Sequence, residues 1–140
     1  MREILFKGKK KDNGEWIEGY LLDGGMPGEK RIFIGKLVIG KWTVMADEFD
    51  EVDPDTICEY TGLTDKNGKK IWENDILMAH LDELYPEDVT YEAIQWGMAG
   101  WVTREAGSID RQYLDKFDLE HYEVAGNTFD NPELLQEEHK

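Results

Sequence analysis

The sequence predicts a mainly β (α+β) fold in which short strands form a strongly bent small barrel, with one or two short helices. Short segments rich in β-branched and aromatic residues alternate with turn residues along most of the chain. Bending the sheet hides the edges that many short strands would expose. With 140 residues, 11% of them aromatic, the chain can bury a core. We therefore expect one domain over residues 1–140, with a β subdomain at 1–46 and a barrel-like part at 56–135.

The clearest local pattern lies at residues 57–77, which predicts a strand, a tight turn and a second strand. In the turn, the Asp65 carboxylate is placed to accept bonds from the backbone N–H groups that follow it. Gly68 supplies the positive φ that closes a type I turn with a bulge. The turn resembles the middle of a calcium loop, but its first and twelfth positions would then be Leu63 and Asn74, where Asp and Glu are required. We therefore expect a structural turn.

The N-terminal third predicts four short strands, at residues 3–8, 15–22, 31–35 and 41–45. Asn13-Gly14 is a strong hairpin turn between the first two. The second strand divides into two faces, one with Trp16, Tyr20 and Leu22 and the other with Ile17 and Leu21.

Residues 47–55 follow, with six carboxylates in nine positions. So dense an acidic run predicts a solvated connector. A divalent-metal loop is the alternative, but its carboxylates lack a regular ligand spacing.

The C-terminal half predicts an acidic loop at 80–88, a strand at 89–96, a turn at 97–100, a strand at 101–103 and a last strand at 120–125. A short helix is expected to begin at an N-cap, Ser108, and to present Ile109, Tyr113, Leu114 and Phe117 on one face. Gly126-Asn127 predicts a turn. Asn131 and Pro132 then predict the N-cap and first residue of a terminal helical turn.

The charge balance is strongly acidic, with a formal net charge of -15. Residues 1–41 carry nine Lys/Arg and six Asp/Glu, a net +3, so the other 99 residues carry -18. Such a surface repels phosphate backbones at long range, which argues against ordinary nucleic-acid binding. Three interpretations stay open: solubility, a basic end that docks on an acidic region of a neighbouring copy, and an acidic face for a basic partner.

Sequence patterns for membrane insertion and secretion are missing, so we expect a cytoplasmic protein without membrane contact. No apolar run approaches the roughly 18 residues of a membrane span. The first residues lack the features of a signal peptide. The lone cysteine, Cys58, forms no internal disulfide.

Residues capable of catalysis are few and poorly placed for it. Cys58 lies in an apolar strand, where cysteine behaves as a small hydrophobe. The histidines are His80 beside an acidic loop, His121 in a predicted strand and His139 in the tail. The nearest approach to a metal cluster is His80 with Asp82 and Glu83, a combination that arises often by chance. We predict no enzyme and no catalytic, cofactor-binding or metal residues.

Four tryptophans could in principle stack nucleobases: Trp42, Trp72, Trp96 and Trp101. Grooves for single-stranded nucleic acid are basic, whereas this part of the chain is acidic. We therefore expect these side chains to pack in the core.

Three segments resemble the YopX-like proteins of phages and prophages. The central segment from Tyr60 to Leu77, YTGLTDKNGKKIWENDIL, is similar to the family signature. The opening at residues 2–6 and the closing segment at 122–135 are similar to the family's start and end. This chain has Asn74 where Gly is usual and Ala125 where Ile is usual. Asn tolerates left-handed backbone, whereas Ala125 is expected to remove core volume.

The resemblance implies a largely β accessory protein of bacterial viruses, with an SH3-like barrel element and motif residues that form no known catalytic set. Our first hypothesis is a non-enzymatic phage or prophage accessory protein in the bacterial cytoplasm, a β-rich module that forms a homo-oligomer and binds a host or phage protein. The alternative is an acidic decoy that mimics DNA and occupies a nucleic-acid-binding protein.

Overall fold

Strands dominate the part of the chain that the computed structural model describes, residues 3–80, 89–97, 100–105, 111–114 and 119–136. The strands there are β1 (Phe6–Lys9), β2 (Trp16–Gly24), β3 (Arg31–Ile39), β4 (Val44–Val52), β5 (Cys58–Thr64), β6 (Lys70–Trp72), β7 (Asp75–His80), β8 (Val89–Trp96), β9 (Trp101–Glu105), β10 (Arg111–Tyr113) and β11 (Glu123–Asn127). Two 3₁₀ turns, Pro54–Thr56 and Pro132–Leu135, accompany them. The predicted mainly β fold is confirmed.

The strands form two antiparallel sheets, one in the order β4-β3-β2-β1-β5-β6 and the other in the order β10-β9-β8-β7-β11. Within the described ranges they form no closed barrel. The chain divides into two compact units, Met1–Tyr60 and Thr61–Lys140, with the boundary inside β5. None of the helical segments in the described ranges has the length and hydropathy of a membrane-spanning helix.

The first unit builds its core from the alternating faces of its strands. Ile32, Ile34 and Val52 are buried, and Ile17 and Leu21 pack against them. The other predicted face of β2 is more open: Trp16 is half-buried, and Tyr20 and Leu22 are exposed. An isolated bridge between Lys10 and Val52 connects the end of β4 to the residue after β1, so this sheet is strongly bent.

The acidic run at 47–55 is not the solvated connector that the sequence predicts. Residues 47–52 form the second half of β4, and Val52 is fully buried. The pairing continues because Phe49 and Val52 supply apolar groups on a strand whose carboxylates meet cations of neighbouring segments. Cross-strand ion pairs of this kind make an acidic strand tolerable. β3 and β4 are consequently longer than predicted.

The second unit packs around four buried residues, Ile71, Leu77, Ile94 and Trp101. Strand β8 covers the residues predicted for it, and β9 contains the short strand predicted at 101–103. Five partly buried residues pack on this core: Leu63, Leu114, Leu119, Tyr122 and Val124.

The prediction of a helix that begins at Ser108 is wrong at residues 111–113, because these residues form β10. Its register pairs Gln112 with Thr103 and Tyr113 with Val102. Pairing with β9 satisfies the backbone there, and a short apolar pattern does not distinguish helix from strand. The other positions of the predicted helix, Ser108, Ile109 and Phe117, lie outside the described residues, as does nearly all of the acidic loop predicted at 80–88.

The last strand and its turn lie slightly beyond their predicted places. Gly126 and Asn127 end β11 rather than forming the turn. The terminal helical turn is present at Pro132–Leu135, but the Asn131 side chain accepts a bond from the Asn127 N–H at 3.3 Å instead of capping it. Ala125 removes no core volume because it is exposed, at a bulge where the register of β11 shifts.

Candidate functional site

The outer half of the β3–β4 hairpin, residues 36–48, stands clear of the core, and we call it the arm. The pairing of β3 with β2 ends at Gly35, whereas its pairing with β4 continues to Ile39 and Val44. At the tip the Gly40 N–H donates to the carbonyl of Thr43 at 2.8 Å. Every residue of the arm except Leu37 is exposed. The arm is therefore a two-stranded ribbon, which on its own is marginally stable in water.

A β-bulge at the base separates the arm from the core half of the hairpin. The register shifts between Ile34 and Lys36, and Glu48 has a left-handed φ of 51°. A Cβ atom on Gly35 would lie 2.7 Å from the Cα of Phe49 and 2.6 Å from the Glu48 carbonyl oxygen. Only glycine allows this close approach, and bulges bend the strand that carries them. The bulge therefore marks the point at which the ribbon leaves the core.

Apolar side chains occupy both faces of the arm. Val38 lies opposite Met45, and Ile39 lies opposite Val44. Because successive pairs point to opposite sides of a ribbon, one pair lies on each face. These four side chains are 50% to 73% exposed, and Trp42 at the tip is 87% exposed. Among the described residues, exposed apolar side chains are therefore concentrated on the two faces and the tip of the arm, a feature typical of interaction surfaces.

The arm is electrically neutral in a strongly acidic chain. It carries two lysines, one Asp and one Glu. At the base, Lys36 Nζ lies 3.0 Å from Glu48 Oε2, and this hydrogen bond raises the pKa of Lys36 above its ordinary value. At the tip, Lys41 Nζ lies 5.6 Å from the centroid of the Trp42 ring. The tip thus combines a cation with an exposed aromatic ring.

The Asp65 turn is the opposite case, a polar group enclosed by its own chain. Asp65 is only 6% exposed, and its carboxylate accepts bonds from the N–H groups of Asn67, Lys69 and Val124, each at 2.9 Å. Gly68 has a φ of 79°, as the sequence predicts. One carboxylate thereby holds the turn closed and ties it to β11.

Burial and hydrogen bonding act in opposite directions on the Asp65 carboxyl group. Burial alone would raise its pKa, and the three backbone N–H donors together outweigh it, so the pKa lies below the ordinary value. The group is ionised at neutral pH with its oxygens engaged. It is a structural anion rather than an acid or base.

An open depression of about 530 Å³ adjoins this turn. Its lining consists of Gly62, Leu63, Thr64, Asp65, Lys66, Leu119 and Glu120. The Asp65 carboxylate is already engaged, and Lys66 Nζ lies 3.8 Å from Glu123 Oε2. The depression therefore offers a ligand little convergent polar chemistry.

Carboxylates of the acidic run are engaged by cations of the same unit. Glu51 lies 3.0 Å from Arg31 and 3.3 Å from Lys11, and Asp50 lies 3.7 Å from Lys10. The hydrogen bond from Arg31 is the main reason that the pKa of Glu51 lies below its ordinary value. These charges support β4 rather than forming a free anionic row.

The residues with catalytic potential are scattered. Cys58 is 1% exposed, and its thiol donates to the Thr56 carbonyl at 3.3 Å. His80 and His121 are exposed, and His139 lies outside the described residues. In the part of the chain that the structure describes, no three His, Cys, Asp or Glu side chains are grouped as metal ligands would be.

The prediction that four tryptophans pack in the core is half right. Trp72 and Trp101 are 3% and 8% exposed, but Trp96 and Trp42 are 55% and 87% exposed. The exposure of the arm does not follow from its sequence, because apolar residues at successive positions normally indicate a strand buried on both faces. One sequence feature could have indicated the arm. Charged residues are rare there, since Lys41 is the only one in residues 37–46.

Comparison with known proteins agrees with the fold and with the central segment. A protein of known structure, protein EF1440 from Enterococcus faecalis, is similar to this chain, with a TM-score of 0.57 and 24% sequence identity over 97% of this chain and 100% of that one. No curated protein matches the chain. The family model described as YopX protein matches residues 5–136, nearly the whole sequence. The chain therefore belongs to the YopX family.

Proposed function

We propose that this chain is a non-enzymatic accessory protein of a phage or prophage, a β-rich module that works in the bacterial cytoplasm through protein–protein contacts, including contacts with its own copies. The arm is the contact surface. The observation that carries the proposal is the exposure of apolar side chains on both faces of one ribbon. A ribbon of that composition gains free energy when a protein surface removes it from water.

The exposed tryptophan strengthens this assignment. Tryptophan is among the residues most enriched at the centres of protein interfaces, where it supplies a large apolar area with few rotatable bonds. Trp42 is the most exposed of the large hydrophobic side chains in the described part of the chain. A neutral arm also approaches another protein without the repulsion that the acidic remainder of the chain would generate.

A non-enzymatic role is supported by the positions of the Cys58 thiol and the Asp65 carboxylate, both of which stabilise the fold. The Cys58 thiol lies in the core, and the Asp65 carboxylate is engaged by three backbone donors. Cys58 is buried, and Asp65, although it lines the open depression beside its turn, has both carboxylate oxygens engaged by backbone N–H groups rather than available to a substrate.

The alternative, a DNA-mimicking decoy, has less support. Such a decoy presents free carboxylates in a phosphate-like row, but Glu48, Asp50 and Glu51 of the acidic run lie within 4 Å of the chain's own cations. The arm, in turn, is apolar rather than anionic.

A pull-down from nuclease-treated lysate of the host bacterium tests the proposed function. Three tagged baits are compared: the unchanged chain, Trp42→Ser, and Met26→Ser as the control. Met26 is 70% exposed in the loop after β2, so its substitution removes a similar exposed apolar group elsewhere. We expect proteins retained through a high-salt wash by the unchanged chain and by Met26→Ser, and lost by Trp42→Ser.

Two outcomes would overturn the proposal. One is an identical set of proteins on all three baits, because the arm then makes no selective contact. The other is retention only at low salt of a DNA-binding protein that DNA displaces, because charge-driven contacts are screened by salt. That second result would favour the decoy.

A further inference from the structure

We infer that the arm binds a second copy of this chain, with the two copies exchanging arms about a twofold axis. The inference rests on the proposed function and names the partner of the same surface. Three observations carry it: the distribution of charge, the apolar character of both faces, and the open strand edges of the ribbon.

Charge favours a contact between the arm of one copy and the body of another. The chain has a net charge of -15, and because the arm is neutral, all of that charge lies outside it. Contact between two acidic bodies is repulsive, whereas the arm approaches an acidic body without repulsion and brings Lys41 at its tip. A basic partner would be attracted to the body rather than to the arm, and a nucleic acid would be repelled by the body. A second copy is the partner that fits the arm and the body together.

The two apolar faces require cover from two sides. A single flat surface would bury either Val38 and Met45 or Ile39 and Val44, and would leave the other pair in water. In a twofold pair, the arms pack against each other through one face, since an isologous contact uses the same patch on both copies. The other face of each arm then lies on the partner's body. Reciprocal exchange therefore removes both faces from water.

The edges of the ribbon are also suited to pairing. Beyond Gly35 the arm strand of β3 has no ladder partner in β2, and β4 ends the order of its sheet. Only the far end of β4, at Val52, has the isolated bridge to Lys10. Open edges of this kind invite strand addition by another chain.

Sedimentation equilibrium of the purified full chain over about a hundredfold range of concentration tests the inference. We expect a monomer–dimer equilibrium. Trp42→Ser should weaken dimerisation by roughly tenfold or more, because buried tryptophans dominate interfaces. Met26→Ser should leave it unchanged. The near-ultraviolet circular dichroism signal of the core tryptophans serves as the folding control. If that signal is retained in the Trp42→Ser variant, the variant is folded.

A charge-reversal pair sharpens the test. Lys41→Glu at the tip should weaken the dimer by a smaller factor, whereas Lys30→Glu makes the same charge change at an exposed position outside the arm and should have little effect. Equal weakening by both variants would mean that only total charge matters, and would overturn the assigned contact.

The outcomes separate this inference from the proposed function. A chain that is monomeric at every concentration, but whose pull-down partners depend on Trp42, overturns the second copy and leaves the arm as a surface for another protein. If Trp42→Ser dimerises as the unchanged chain does and also retains the same pull-down partners, both the inference and the proposed function fail.

Discussion

The β5–β6 and β3–β4 hairpins use the same kind of backbone and differ in what surrounds them. In the first, Asp65 is buried and accepts three backbone hydrogen bonds from its own chain. In the second, Trp42 projects into solvent with 87% of its surface exposed. The first hairpin satisfies a polar group inside the fold, whereas the second leaves apolar groups outside it. Because burying polar groups and exposing apolar groups both cost free energy, each hairpin needs a compensating partner.

The difference shows where function is to be sought in this chain. The segment with the strongest sequence pattern, residues 57–77, contains a turn whose residues stabilise the fold. The arm has no conspicuous motif, yet within the described part of the chain its apolar side chains are left exposed. Under the proposed function, the recognisable signature is therefore a poor guide to the contact surface, and the exposed apolar ribbon is the better one.

The largest expected effect comes from making the same substitution at one tryptophan of each region. Trp72, at the end of β6, is 3% exposed, so Trp72→Ala should lower the free energy of unfolding by about 3–5 kcal/mol. Trp42→Ala should change it by less than about 0.5 kcal/mol in the monomer. Urea denaturation at low protein concentration measures both. Equal losses would mean that the arm belongs to the folding core.

Removing the carboxylate of the turn should have the next largest effect. Asp65→Ala leaves the N–H groups of Asn67, Lys69 and Val124 without their acceptor, and we expect a loss of roughly 3 kcal/mol in the free energy of unfolding. The control is Asp12→Ala, which changes an exposed aspartate in the β1–β2 turn. Similar stabilities of the two variants in urea would contradict the structural role of Asp65.

Gly68 tests whether the turn is limited by its backbone. A Cβ atom there would meet nothing within 4 Å, so any loss arises from its φ of 79°. We expect Gly68→Val to lose about 2 kcal/mol and Gly68→Asn much less, because Asn tolerates left-handed backbone. Thermal unfolding of the two variants makes the comparison. A stable, monodisperse Gly68→Val that no longer binds its partner would instead place the turn in the interface.

The smallest expected effect is a dependence of stability on pH. The pKa of Asp65 is lowered in the folded state, so its stabilisation is fully present above the ordinary pKa of about 4 and is lost as the pH falls through the lower, folded value. Asp65→Asn should lack this component. Urea midpoints from pH 6 down to pH 3 compare the two proteins. Parallel curves would mean that the carboxyl group has the same pKa folded and unfolded.

Sequence reasoning succeeds where local chemistry determines the structure. The roles of Asp65 and Gly68 follow from turn geometry alone, and Asn74 has the left-handed φ, 69°, that its identity allows. It fails where the outcome depends on distant pairing. Whether Trp42 is buried depends on the end of β2 and the bulge at Gly35, which no local pattern specifies.

The same limit explains the remaining errors in the fold. The acidic residues of β4 form a strand because cations on other segments neutralise them, and residues 111–113 form a strand because β9 offers an edge. In both places the decisive partner lies far along the chain or in another strand, so the local pattern alone favours the wrong structure.

Hydrogen exchange of the purified chain at low and high concentration, followed by mass spectrometry, compares the two hairpins in one measurement. If the turn is covered by its own chain and the arm by a second copy, amides at 65–69 will be equally protected at both concentrations. Protection at 36–48 will then rise with concentration. Arm amides that exchange at the same fast rate at both concentrations would contradict this picture of the molecule.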